Sequence, residues 1–176
     1  RRGQQQEPTN ATFAAIRAAM VFRHGFVDEG LTYAEQVVEL MPRRAADYES
    51  LAQAYVEAAR YYQKQGETAR ADELLAKLDA LPSRIEKLLA ATPERYRSLG
   101  EPPLAVTPRL NIYVGAGKYL AGQYDEAQAQ LAPLAESKDK NLQAEARLWL
   151  GLTAAKQGDR AGAQKLIQEA LQARPD

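Results

Sequence analysis

Four short segments of this 176-residue chain contain residue types that could do chemistry. Gly115-Ala116-Gly117-Lys118 looks like the end of a phosphate-binding loop, where backbone amides cradle a phosphate and the lysine reaches it. Tyr119 stands where Ser or Thr must ligate magnesium, and Ile112 where the first glycine belongs, so the string reads as helix. Asp28-Glu29 and Asp125-Glu126 are neighbouring carboxylates of the kind that glycoside chemistry pairs. They fall at equivalent places near the start of predicted helices, where the macrodipole favours negative charge, and helix capping accounts for them. His24 precedes a glycine at the carboxyl end of a predicted helix, where a positive imidazole is stabilised, and no Ser with a nearby acid accompanies it. Catalysis therefore has no positive support: no catalytic residue, metal site or cofactor is expected.

Composition narrows the field further. With no cysteine, disulfides, thiolate zinc sites and a cysteine nucleophile are excluded, and the compartment stays open between cytoplasmic and periplasmic or extracellular. One histidine excludes any site that needs two imidazoles. Twenty-three basic side chains balance twenty-three acidic ones, whereas a nucleic-acid or polybasic membrane-surface binder would carry a positive excess. No apolar run approaches the roughly 18 residues of a membrane span, so no membrane insertion by this segment is expected. The first residue is Arg1, and the chain is expected to be a trimmed or processed piece. An apolar share of 45% and a charged share of 26% predict one folded domain, and 33 alanines favour closely packed helices.

The elements that would position these residues repeat. Gly25, Gly66, Gly122 and Gly158 are each followed five residues later by a small side chain: Gly30, Ala71, Ala127 and Ala163. An apolar or small residue comes four later, at Ala34, Leu75, Leu131 and Ile167. A small residue also stands seven before each glycine: Ala18, Ala59, Gly115 and Gly151. This pattern predicts four helix–turn–helix units. The glycine ends the first helix in the left-handed conformation, and the flanking small residues let the two backbones touch where they cross. Asp28, Asp125 and Asp159 place a carboxylate near the start of the second helix in three of the four units.

These residues resemble the tetratricopeptide repeat (TPR) family, whose 34-residue unit carries small residues at its eighth and twentieth positions and a closing proline near its end. Leu150, Gly151, Ala163, Ile167, Ala170 and Pro175 carry the best match; Ala18, Gly30 and Pro42 carry it in the first unit. Tyr55, Ala59, Tyr62, Ala71, Leu75, Leu78 and Pro82 carry it in the second, and Gly115, Ala127, Leu131 and Leu134 in the third. The register gives units 11–44, 52–85, 108–141 and 144–176 in a single domain 1–176. Seven extra residues separate the first two units, and an insertion, 86–107, follows the second. Arg17 replaces a usual leucine, and Pro133 lies inside a predicted helix. In the insertion region, Ser83 and Glu86 have capping-box spacing, Thr92-Pro93-Glu94 reads as a helix start, Gly100 as a stop and Pro102-Pro103 as a rigid link.

The resemblance implies an all-α, right-handed solenoid of stacked antiparallel hairpins whose first helices line a concave groove. In that register Phe22, Arg23, Arg60, Gln63, Lys64, Arg109, Ile112, Tyr113, Tyr119, Glu145, Leu148, Trp149, Leu152 and Lys156 face the groove, with the two position-equivalent aromatics Tyr113 and Trp149 as candidate anchors. The expected function is a non-enzymatic interaction scaffold holding a protein or peptide partner that carries acidic residues. Ala15 and Ala19 stand where chaperone-tail binders of the family carry Lys and Asn, which argues against that ligand. A second reading is a self-associating assembly or regulatory domain of a larger envelope or membrane-bound protein, a homo-oligomer. It draws on Leu166, Ile167, Ala170 and Leu171, expected as an exposed stripe on the last helix. A third is a helical enzyme using the insertion as a lid.

Overall fold

In the computed structural model the described residues are 11–40, 42, 44–91 and 104–173. Among them are nine α-helices and no strand, so the chain is all-α. The helices are α1 (Ala11–Arg23), α2 (Val27–Leu40), α3 (Ala45–Gln65), α4 (Thr68–Asp79), α5 (Leu81–Ala91), α6 (Pro108–Leu120), α7 (Tyr124–Leu131), α8 (Lys140–Lys156) and α9 (Arg160–Ala173). Helices α1–α2, α3–α4, α6–α7 and α8–α9 form the four expected hairpins. The chain divides into two compact units, one up to Val106 and one from Thr107. Each therefore contains two hairpins.

The turns are built identically. Gly25, Gly66, Gly122 and Gly158 all have positive φ, between 78° and 91°. The amide of the residue after each glycine returns to the carbonyl five residues back: Phe26 to Val21, Glu67 to Tyr62, Gln123 to Lys118 and Asp159 to Ala154, at 2.9–3.0 Å. This left-handed closure satisfies carbonyls that the helix end would leave unpaired. The small-residue crossings also hold. A methyl group on Gly115 would lie 2.6 Å from Leu131, and one on Gly151 would lie 2.7 Å from Ile167. Ala59, Ala71 and Ala127 at the other crossings are fully buried.

In the first unit α3 is the central element. Tyr48, Leu51, Ala52, Ala54, Tyr55, Val56, Ala58, Ala59 and Tyr62 are buried, spanning more than one face because α2 and α4 both pack on it. Residues 45–51, extra in the repeat register, are the first two turns of α3. No proline or glycine interrupts 45–65, and Tyr48 and Leu51 are completely buried, which holds the added turns in place. Helix α5 begins at Leu81, not at the Ser83 capping site. Ala80 accepts from Arg84, Pro82 sits in the first turn where its missing N–H is harmless, and burial of Leu81 and Ile85 fixes the start. Thr92, Pro93, Glu94, Gly100, Pro102 and Pro103 lie outside the described residues.

In the second unit Thr107 caps α6 by accepting from the Leu110 amide at 3.1 Å, with Pro108 at the first position. Asp139 caps α8 through the amides of Asn141 and Leu142. Pro133 ends α7 early, and Ala132–Glu136 continues as a 3-10 turn. Ile112, Ala127, Leu131, Ala135, Ala146 and Leu150 form the core. The expected apolar stripe on α9 shrinks: Ala170 is buried, Leu166 packs on the core, Ile167 lies against Gly151, and Leu171 alone of the four is highly exposed.

Candidate functional site

The residues first weighed for chemistry have structural partners. Gly115, Ala116 and Gly117 are buried inside α6, and Lys118 pairs with Glu126 at 3.1 Å. In each acidic pair the second carboxylate ties α2 or α7 to its own hairpin: Glu29 meets Arg17 at 3.3 Å, as Glu126 meets Lys118. The first reaches forward to the following hairpin. Asp28 accepts from the Tyr62 hydroxyl, and Asp125 accepts from Gln157 at 2.7 Å. Capping alone does not describe these pairs; the second member closes its own hairpin and the first joins it to the next. Asp159 is a true cap, accepting from the Gly162 amide at 2.9 Å. His24 is exposed in its turn.

The first unit contains a cleft of about 500 Å³ between the first helices of its two hairpins, α1 and α3. Ala18 and Phe22 of α1, Ala34 and Val37 of α2, and Leu51 and Ala54 of α3 form an apolar lining. Asp47, Ser50, Gln53 and Glu57 of α3 supply the polar rim. Gly30 makes room for Phe22, since a methyl group there would lie 2.6 Å from its ring. Gln53 donates to Glu57 at 2.7 Å, and Arg44 stands 3.6 Å from Asp47. Apolar walls with a few convergent polar groups are the usual character of a binding cleft.

Of the positions expected to face a groove, the structure places Phe22 in this cleft, half-buried, and Gln63 half-buried near the end of α3. The Arg23 side chain lies outside the described residues. Arg60 and Lys64 are exposed and continue the stripe of Gln53 and Glu57 along α3, at helical spacings of three and four. The rim is thus acidic beside the cleft and basic beyond it, where a groove basic at several points was expected. Asp47 and Ser50 were not foreseen because they lie in the seven residues that separate the first two units of the repeat register, whereas Gln53 and Glu57 occupy groove positions of that register's second unit.

The remaining expected residues belong to the second unit, where Ile112 is completely buried in the core and does not face a groove, and Glu145, Leu148 and Leu152 are half-buried. Arg109 is exposed in the first turn of α6, with Tyr113 half-buried one turn later. Tyr119 and Trp149 come together, ring centroids 5.6 Å apart, and both pack against the core while staying half-exposed. Tyr124, not foreseen, adds a third ring 5.9 Å from Tyr119. Lys156 is exposed two turns beyond Trp149 on α8.

A second feature of the first unit lies on the other flank of α2. The hydroxyl of Tyr55 donates to Glu35 at 2.9 Å, and Lys77 reaches the same carboxylate at 3.3 Å. One heptad along each helix, Tyr62 donates to Asp28, Arg70 binds the same carboxylate, and the Arg70 guanidinium lies 4.2 Å from the Tyr62 ring centroid. Glu73 and Glu67 brace the two cations within α4. These two rungs line a small polar recess of about 190 Å³. Burial, then the bond to Asp28, pushes the Tyr62 hydroxyl up to about 12; burial and the bond to Glu35 push Tyr55 higher.

No family model matches this chain, and no curated protein matches it. Seven chains of solved structures match. One is the crystal structure of YrrB, described as a TPR protein with an unusual peptide-binding site. It is 20% identical, with 99% of this chain and 92% of that chain covered and a TM-score of 0.37.

Proposed function

We propose that this chain is a non-enzymatic interaction module that takes a segment of a protein partner into the cleft between α1 and α3. The observation that carries this reading is the cleft itself: about 500 Å³, apolar within and polar at its rim. The groups that first suggested chemistry are engaged instead in holding helices together, Glu126 on Lys118 and Glu29 on Arg17 among them. Charge complementarity defines the occupant. An apolar side chain fills the space over Val37 and Ala54, a basic residue of the segment meets Glu57, and an acidic residue meets Arg60 and Lys64 further along α3. Seven residues of helix separate Glu57 from Lys64, about 10 Å, so a short segment spans both charges and can lie in one direction only. Arg109, Tyr113, Tyr119, Trp149 and Lys156 are the corresponding candidate contacts in the second unit.

Selection from a randomised peptide library tests the reading. Enriched sequences should share an apolar anchor with a basic residue on one side and an acidic residue on the other. Ser50→Trp, an exposed rim position whose new ring fills the cleft, should weaken the selected peptides about tenfold or more, in line with loss of an anchor contact. Enrichment of sequences without that pattern, or peptides that bind Ser50→Trp unchanged, would overturn it.

A further inference from the structure

The two acid–tyrosine–cation rungs and the cleft share one helix. On α2, Asp28 and Glu35 occupy one flank and Ala34 and Val37 the other, with Leu31 and Val38 buried between them. Whatever fixes the rotation of α2 on α3 therefore also fixes the cleft floor. The buried contacts of Leu31 and Val38 are apolar and non-directional, so they hold α2 close without defining its rotation. The rungs are directional. Each joins three helices through one carboxylate, and they repeat after seven residues on α2, α3 and α4 alike. Two points of attachment about 10 Å apart fix an angle as well as a distance.

We propose that these rungs form a clasp that sets the width of the α1–α3 cleft, so that occupation of the cleft and closure of the clasp are coupled. The proposal rests on the reading of that cleft as the binding site. The tyrosines dominate the clasp. The ion pairs of Arg70 and Lys77 are largely solvent-exposed and individually weak, whereas the hydroxyls of Tyr55 and Tyr62 belong to buried side chains and donate to charged acceptors. The lowered acidities of both phenols agree with this, since each hydroxyl keeps its proton in the bond. Coupling is reciprocal: a ligand that fits the closed cleft stabilises the rungs, and a broken rung weakens the ligand.

The test removes the two hydroxyls and keeps the rings, as Tyr55→Phe with Tyr62→Phe in the full chain. The native sequence lacks cysteine, so spin labels can be placed uniquely at Glu39 of α2 and Gln53 of α3, both exposed. Pulsed electron resonance should show a broader label-to-label distance distribution in the double variant. Nile red, a neutral apolar probe of the cleft, should bind about fivefold or more weakly, the low end of ordinary coupling. Asp28→Asn with Glu35→Gln is the second variant and should act in the same direction, while Asp125→Asn in the second unit should change neither reading. If both clasp variants keep helical circular dichroism but leave the distance distribution and Nile red affinity unchanged, the clasp is refuted. If Ser50→Trp fails to displace Nile red, the cleft reading has failed instead.

Discussion

At the scale of single residues, the four turn glycines and three crossing glycines show different reasons for lacking a side chain. Gly66 and its three equivalents adopt positive φ with open space around them, so backbone conformation alone requires them. Gly115 has ordinary helical φ and is required by Leu131, which is wholly buried and cannot yield. Alanine there would gain roughly 1 kcal/mol of helix propensity, but overpacking costs about 1–3 kcal/mol. Gly115→Ala is therefore expected to lower stability by about 1 kcal/mol, read from urea unfolding at unchanged slope. Tyr62 gives a pH prediction of definite sign. Its folded hydroxyl holds its proton up to about 12 against an ordinary value of 10.0, so the folded state binds the proton more tightly. Its contribution to stability is complete below pH 10 and is lost as pH rises toward 12. Tyr62→Phe should flatten that part of a stability-versus-pH curve, and an unchanged curve would refute the bond to Asp28. Residue-scale legibility was high wherever one side chain had one local job. It failed for Asp28 and Asp125, whose partners Tyr62 and Gln157 lie 34 and 32 residues away.

At the scale of elements, some helix starts rest on a cap that is purely local. Asp139 accepts from two amides of its own helix, and Asp139→Ala should destabilise the second unit by about 1 kcal/mol, seen as faster amide exchange in the first turn of α8. Such signals misled where burial overrode them. Helix α5 passes through Ser83 because Leu81 and Ile85 must both reach the core, and α3 gains two turns because Tyr48 and Leu51 extend its buried stripe. The forward-reaching acid also distinguishes hairpins. Asp28 and Asp125 stand three residues after Gly25 and Gly122, in the two hairpins that another hairpin follows within the same unit. At the same offset the other hairpins carry Ala69 and Ala161. A four-unit register treats all turns alike, so this difference in the sequence gains its meaning only from the division into two units.

At the scale of the molecule, each unit has its own core, around Tyr48 and Leu51 in one and Ile112 and Leu131 in the other. Leu51→Ala and Leu131→Ala each remove a fully buried side chain and should cost about 2–5 kcal/mol. Hydrogen exchange is expected to localise each loss: α3 and its neighbours for the first, α6 to α8 for the second. Equal loss of protection across both units in either variant would mean that they unfold as one. The sequence by itself determined the all-α class, the four hairpins, their left-handed glycine closures and the small residues at their crossings. All of these are written in spacings shorter than one hairpin, where 3.6 residues per turn and the sterics of a missing Cβ leave few alternatives. Only the tertiary structure decided that Asp28, Glu35, Tyr55, Tyr62, Arg70 and Lys77 meet, and that the cleft rim is acidic at Glu57 before it becomes basic at Arg60. Those outcomes depend on how far one helix slides and rolls on another, a choice set by the sum of many weak non-directional contacts that no local pattern records.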